Sequence, residues 1–221
     1  MKKLCLALAL VVAILSVPAP SASASITWHD KPSPFTDVYP EDYFYDGVMW
    51  AYYTGVSTGT SSATFSPADS CTRGQVVTFL WRAMGKPEPE TKKNPFEDVY
   101  PTDYFYKPVL WAVEQGITSG TSTTKFSPST ICNNAHIITF LWRAKGSPRA
   151  GVIGVAATFP QSYSWSQTAV AWAEANGLLG TLADGFDPSL PCPRGDTAEY
   201  LYRAFGSDPI AMSGPRQTRA A

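Results

Sequence analysis

Two arginines stand at the start of candidate helices, where they could bind an anion. Arg73 lies in the run Thr72-Arg73-Gly74-Gln75, and Arg194 lies in Pro193-Arg194-Gly195-Asp196. An arginine presents a planar fork of N–H donors that matches a carboxylate. A helix N-terminus adds free backbone N–H groups and a partial positive charge. Together these features suit a carboxylate ligand, although the corresponding run Asn133-Asn134-Ala135-His136 has no arginine.

The residues typical of hydrolytic active sites do not form a recognisable set. The chain has only two histidines, His29 and His136, and neither belongs to a His-Glu-x-x-His, Ser-His-Asp or Cys-His arrangement. A glycosidase needs two carboxylates across a sugar bond. The best candidates, Asp37 and Asp98, belong to a repeated motif that is missing from the last third of the chain. We therefore expect no enzymatic activity and no cofactor, and a cell-wall glycan hydrolase is the less favoured alternative.

Three cysteines, Cys71, Cys132 and Cys192, follow the first 24 residues. An odd number cannot pair completely in an exported chain. Their recurrence at one place in a repeat favours a small buried residue. A three-thiolate metal site is the alternative, but no His or Cys partner lies at ligand spacing, so we expect no metal.

The chain is built from three copies of one unit. Trp50, Trp111 and Trp172 recur every 61 residues, and phenylalanine, proline, cysteine, arginine and glycine positions follow in step. Such periodicity indicates a repeat architecture. The copies span residues 35–85, 96–146 and 159–206, and the third copy is the most diverged.

Each copy is predicted to be a helix, a loop and a second helix. In the first copy, one helix begins near Tyr43 and ends at Gly55, where glycine suits a left-handed cap. The second begins at Thr72, which forms a capping box with Gln75, and ends at Gly85. One helical pair cannot bury its apolar face alone, but three around an axis can. We therefore predict an all-α bundle with pseudo-threefold symmetry.

The first residues, 1–24, have the pattern of a secretory signal peptide: Lys2 and Lys3, an apolar run and a small-residue cleavage site. The apolar run is shorter than the roughly 20 residues of a membrane span. Its removal leaves 15 Lys and Arg against 18 Asp and Glu, a formal charge of −3. We expect an exported chain with no nucleic-acid partner and no membrane partner after cleavage. The tail, 207–221, lacks periodicity and is predicted to be disordered.

The repeat resembles the S-layer homology (SLH) domain. The family pattern runs Phe-x-Asp-Val, an aromatic residue, a helix ending in Gly-Ile, a nearby Gly, Phe-x-Pro and a Thr-Arg helix start. The first copy reads "FTDVYPEDYFYDGVMWAYYTGVSTG" and later "FSPADSCTRGQ"; the second reads "FEDVYPTDYFYKPVLWAVEQGITSG" and later "FSPSTICNNAH". The third reads "SYSWSQTAVAWAEANGLLG" and later "FDPSLPCPRGD". The resemblance covers Phe35 to Gly206.

The resemblance implies three SLH modules that bind secondary cell-wall polymer, often through a pyruvylated sugar, in grooves between modules. It implies a protein secreted to the bacterial cell wall, with surface-layer proteins as possible partners. Family site residues carry over unevenly: the second copy has Asn134 for the arginine, the third lacks Phe-x-Asp-Val, and no copy has every element. The predicted polymer-binding residues are Asp37, Tyr43, Gly59, Arg73, Asp98, Tyr104, Gly120, Trp165, Gly180 and Arg194.

Structural roles compete with binding at several of these positions. Asp37 and Asp98 could form turns or caps, and Tyr43, Tyr104 and Trp165 could belong to the core. We assign the repeated tryptophans to the core, a carbonyl or ion-pair contact to Arg82, Arg143 and Arg203, and a capping role to His136. The alternative function is a structural surface-layer or matrix component that binds protein partners and has partly lost polymer binding.

Overall fold

A computed structural model describes residues 27–149, 161–180 and 186–206. Over these ranges the chain is all-helical, with isolated β-bridges but no strands, as the sequence predicts. Two short 3₁₀ helices cover Trp28–Asp30 and Gln161–Ser166. The α-helices are α1 (Tyr45–Tyr53), α2 (Arg73–Ala83), α3 (Tyr106–Glu114), α4 (Asn134–Ala144), α5 (Gln167–Ala175) and α6 (Arg194–Phe205).

The helix starts differ slightly from the prediction. Helix α1 begins at Tyr45 instead of Tyr43, because a turn closed by the Asp42 carboxylate on the Tyr39 N–H (2.7 Å) precedes it. The Thr72–Gln75 capping box is confirmed. Thr72 is the N-cap, so Arg73 is the first helical residue and not the second.

The helices pack mainly across repeats. Helix α1 lies against α6, α3 against α2, and α5 against α4. The first helix of each repeat therefore shares its buried face with the second helix of the preceding repeat, in a closed cycle. The second helices α2, α4 and α6 also contact one another around the centre. The three repeats thus depend on one another for a core, as expected for units that cannot bury their apolar faces alone.

A ring of backbone hydrogen bonds marks the pseudo-threefold axis. The Cys71 N–H donates to the Cys192 carbonyl (3.2 Å), that of Cys132 to Cys71 (2.9 Å), and that of Cys192 to Cys132 (3.0 Å). All three side chains are at most 1% exposed. The prediction of small buried residues is confirmed, and the part of the chain that the structure describes contains no cluster suited to a metal.

Two further structural assignments are confirmed. Trp50, Trp111 and Trp172 are 0%, 4% and 7% exposed and lie in the core. The repeated arginines donate to carbonyls that follow the first helices: Arg82 to Val56 (3.1 Å), Arg143 to Ile117 (2.9 Å) and Arg203 to Gly177 (3.2 Å). Each arginine therefore ties the end of a first helix to the second helix of its own repeat.

Several predictions concern residues outside the described ranges: the signal peptide, the start of the third repeat before residue 161, and the tail from 207. Within the described ranges, no helix is long and apolar enough to cross a membrane.

Candidate ligand-binding junctions

The tip of each second helix is inserted into the loop of the next repeat. The N–H groups of Arg73 and Gly74 donate to Thr130 and Pro128 of repeat 2, both at 2.9 Å. The N–H of Asn134 donates to Leu190 of repeat 3 (3.0 Å), and that of Arg194 donates to Asp69 of repeat 1 (2.8 Å). The expectation of free N–H groups at these helix starts is therefore wrong, because neighbouring loops occupy them. Three junctions between repeats result, and each is numbered after the repeat whose loop it contains.

Junction 2 is formed by Arg73, the loop of repeat 2 and the aromatic residues before α5. The Arg73 guanidinium donates from Nε to the Phe126 carbonyl (2.9 Å) and from Nη2 to the Thr118 hydroxyl (3.3 Å). It lies 4.8 Å from the ring centre of Phe126 and 5.4 Å from that of Phe140. Arg73 is only 5% exposed. Arg73 therefore clamps repeat 1 to repeat 2, and burial lowers its pKa.

Junction 1 repeats this geometry with Arg194 and the loop of repeat 1. The guanidinium donates from Nη2 to the Ser57 hydroxyl (2.7 Å) and to the Gly59 carbonyl (3.4 Å). It lies 4.8 Å from the ring centres of both Phe65 and Phe79. In contrast to Arg73, the buried Nε of Arg194 has no hydrogen-bond partner among the described residues.

Junction 3 has no arginine. Asn134 occupies the position and donates from its amide to the Asp187 carbonyl (2.8 Å). The buried Oδ1 of Asn134 has no partner in the described part of the chain. The hydroxyl that faces the arginine elsewhere is also missing: Ser57 and Thr118 lie two residues after Gly55 and Gly116, and the same count from Gly177 gives Leu179. Both partners of this inter-repeat contact have changed together.

The predicted aromatic residues lie at the surface beside these junctions. Tyr43, Tyr104 and Trp165 are 51%, 60% and 48% exposed, so the alternative that they are core aromatics is wrong. Partial burial raises the Tyr104 pKa, while the positive charges of Arg82 and Arg194 lower it. Tyr104 therefore lies near both guanidinium groups, at junction 1.

The other two aromatics belong to the remaining junctions. Trp165 lies at junction 2, because its ring centre is 5.2 Å from that of His136, whose pKa is lowered in part by the nearby charge of Arg73. Tyr43 is the equivalent residue of repeat 1, which the pseudo-threefold symmetry assigns to junction 3, and its hydroxyl donates to the Asp196 carboxylate.

Each junction therefore draws its residues from all three repeats. Arg194 of repeat 3 and Tyr104 of repeat 2 meet the repeat 1 loop with Asp37 and Gly59. Arg73 of repeat 1 and Trp165 of repeat 3 meet the repeat 2 loop. No repeat has the full set, but junctions 1 and 2 do. This arrangement agrees with the expectation of grooves between modules, and grouping the residues by repeat does not reveal it.

Asp37 and Asp98 hold the loops in shape. The Asp98 carboxylate accepts the Phe126 and Ser127 N–H groups, both at 2.9 Å. Asp37 accepts those of Phe65 and Ser66, both at 2.8 Å. The turn-forming alternative therefore accounts for the contacts of both carboxylates, and a ligand contact stays a prediction.

The predicted glycines have backbone roles. Gly59 and Gly120 have φ of +88° and +89°, a left-handed region that favours glycine. A Cβ on Gly120 would lie 2.5 Å from the Phe96 ring. Gly180 differs, because a Cβ there would meet the Arg203 guanidinium. The Gly59 carbonyl accepts a hydrogen bond from the Arg194 guanidinium. Gly180 instead lies beside Arg203, which donates to the Gly177 carbonyl just past the end of α5.

The third helical residue of each second helix also faces a junction, whereas the sequence predicts a capping role for two of these residues and no role for the third. Gln75, His136 and Asp196 take this position. His136 completes a capping box with Asn133, which confirms its predicted role. Pro193 has no N–H to donate, so Asp196 forms no such box and instead accepts the Tyr43 hydroxyl. Junctions 1 and 2 are therefore cationic, while junction 3 has a carboxylate and no arginine.

Comparison with known proteins agrees with the repeat pattern. The sequence profile of the S-layer homology domain matches residues 34–77 and 95–132. Two stretches of the chain therefore match the S-layer homology domain. Both matches fall in the first two repeats, which hold the two Phe-x-Asp-Val motifs.

Curated relatives share this region. A cell surface protein of Thermoanaerobacter kivui is 25% identical over 198 residues, 88% of this chain and 24% of the relative. A surface-layer 125 kDa protein of Lysinibacillus sphaericus is 27% identical over 170 residues, 74% of this chain and 14% of the relative. An endoglucanase of Bacillus sp. strain KSM-635 is 36% identical over 115 residues, 52% of this chain and 12% of the relative. The chain thus spans 12% to 24% of these proteins. The match to the S-layer homology domain and to surface proteins agrees with the predicted location at the cell surface.

Proposed function

We propose that this S-layer homology protein binds an anionic secondary cell-wall polymer non-covalently at junctions 1 and 2, and that the third repeat is a third, diverged module. The observation that carries the proposal is the pair of buried arginines, each 5% exposed and each stacked between two aromatic rings. A guanidinium fixed in this way needs no reordering to meet a carboxylate, such as that of a pyruvylated sugar.

The exposed aromatic residue beside each arginine suits the apolar face of a sugar ring. At junction 1 this residue is Tyr104 and at junction 2 it is Trp165, both about half exposed. Junction 3 has neither an arginine nor a hydroxyl partner for one, so we expect it to reject an anionic polymer. The loss of polymer binding at junction 3 favours a second candidate function, that of a surface-layer component that also binds protein partners.

The test is co-sedimentation of the protein with purified bacterial cell wall, before and after acid extraction of the secondary polymer. We expect sedimentation only with the intact wall. Arg73→Asn gives junction 2, and Arg194→Asn gives junction 1, the residue that junction 3 has naturally. Each single variant should bind less polymer, and the double variant should not sediment.

Thermal unfolding of each variant controls for the inter-repeat clamp that the arginine forms. The comparison uses variants that remain folded at the assay temperature. Sedimentation with both walls alike, or full binding by a folded double variant, would overturn the proposal. Release of soluble sugar from the wall by purified protein would instead indicate hydrolase activity.

A further inference from the structure

One nitrogen of His136 is left available at junction 2. The Nδ1 of His136 accepts the Asn133 N–H (3.4 Å), while the backbone N–H of His136 donates to the Asn133 side chain (2.9 Å). A neutral imidazole carries one N–H, and the nitrogen that accepts a hydrogen bond cannot hold it. The proton therefore lies on Nε2. Nε2 has no hydrogen-bond partner among the residues that the structure describes, so the ring offers a fixed donor.

This donor lies in line with the arginine and the exposed tryptophan. The His136 ring packs against Trp165 at 5.2 Å. One helical turn further along α4, Phe140 packs against the Arg73 guanidinium at 5.4 Å. Positions four apart share one helix face, so Arg73, His136 and Trp165 follow one another along junction 2.

The arginine also has a nitrogen to spare. Nε and Nη2 of Arg73 are occupied by repeat 2, whereas Nη1 has no hydrogen-bond partner within the described ranges. Burial, and secondly the charge of Arg73, lower the His136 pKa, so the ring is neutral at neutral pH and keeps its single donor. Junction 2 therefore presents a cationic donor, a neutral donor and an aromatic face.

We propose that His136 determines the specificity of junction 2, donating from Nε2 to an oxygen of a glycan whose carboxylate binds Arg73 and whose sugar ring lies on Trp165. This inference rests on the proposed function. The residues at the same helix position in the other two junctions also differ in whether they can donate a hydrogen bond. The Gln75 Oε1 accepts the Thr72 N–H (2.9 Å), which leaves its amide as a donor at junction 1. Asp196 offers only acceptors at junction 3.

The test exchanges the residues that the chain itself uses at this position. In an Arg194→Asn parent, where junction 2 is the remaining cationic site, His136→Gln keeps a donor and His136→Asp replaces it with an acceptor. Both new side chains can still accept the Asn133 N–H, so we expect unfolding temperatures close to that of the parent. Calorimetry would measure binding of a methyl hexoside that carries a pyruvyl ketal.

We expect His136→Gln to raise the Kd two- to threefold and His136→Asp to raise it about tenfold or more, the cost of one hydrogen bond. The glycoside without its ketal reports the contribution of the carboxylate. Equal affinity of His136→Asp and the parent would overturn the role of His136 while leaving the proposed function intact. Failure of both the parent and the wild type to bind the ketal glycoside would overturn the two proposals together.

Discussion

The Asp98 carboxylate is expected to be a principal stabilising contact of the repeat 2 loop. It accepts two backbone N–H groups, from Phe126 and Ser127, at 2.9 Å each. Ser127 has a φ of +59°, a left-handed conformation that costs a non-glycine residue about 1 kcal/mol. The two hydrogen bonds hold the loop in this conformation. In Asp98→Asn, the amide can accept only one of them, and its NH₂ group faces the other N–H.

The magnitude follows from the lost contact. A hydrogen bond to a charged acceptor contributes about 1.5–3 kcal/mol, and the remaining one weakens when the charge is removed. We expect Asp98→Asn to destabilise the fold by about 2 kcal/mol, which lowers the Tm by roughly 4–8 °C for a domain of this size. Thermal unfolding followed by circular dichroism would measure the shift. Asp37→Asn should give a similar loss, because Asp37 makes the same pair of contacts at 2.8 Å.

Two further variants make the test specific. Asp69→Asn makes the same chemical change at an exposed side chain and should leave the Tm within about 1 °C. Ser127→Gly in the Asp98→Asn background removes the left-handed strain and should recover about 1 kcal/mol. An Asp98→Asn Tm equal to that of the wild type would refute the argument that the carboxylate holds this loop.

Three other outcomes follow from the packing and the buried ionisable groups. Gly195→Ala places a Cβ 2.8 Å from the Phe44 ring and should cost about 1–2 kcal/mol in urea unfolding, so an unchanged midpoint would show that the ring moves freely. Burial raises the pKa of the Cys132 thiol to about 12, so iodoacetamide at pH 8 should label it only after unfolding, and rapid labelling of the native protein would contradict its burial. Arg203→Met leaves the buried Glu199 carboxylate without its 2.7 Å partner and should cost about 2 kcal/mol at pH 7. Burial already raises the Glu199 pKa, and the loss of Arg203 raises it further, so the penalty applies while the group is ionised and should shrink as the pH falls through this raised pKa; a pH-independent loss would argue against this cause.

Much of the fold could be predicted because its signals are local. The regular spacing of tryptophan and other residues predicted the repeats. The Thr72–Gln75 capping box predicted a helix start, and glycines predicted where helices end. The cysteine positions indicated small buried residues, and the structure places them in one ring of backbone hydrogen bonds. These features depend on residues within a few positions of one another, or on a period that the sequence displays directly.

The difference between the helix starts "TRGQ" and "NNAH" has a tertiary cause as well. A Cβ on Gly74 would lie 3.1 Å from the Phe105 ring, and one on Gly195 would lie 2.8 Å from Phe44. At the equivalent position of repeat 3 the chain has Ser166, which is smaller and fully buried. The smaller residue gives a physical reason why alanine is tolerated at position 135, where the other repeats have glycine.

By itself, the sequence determined the repeat unit, its helices, the residue types of a predicted carboxylate-binding site and the likeness to S-layer homology domains. Only the tertiary structure decided which residues meet. Each second helix inserts its tip into the loop of the next repeat, so Arg73 serves the repeat 2 loop and Arg194 serves the repeat 1 loop. Contacts over 45 and 137 residues of separation leave no local pattern. For this reason two complete junctions arise from three repeats that are each incomplete.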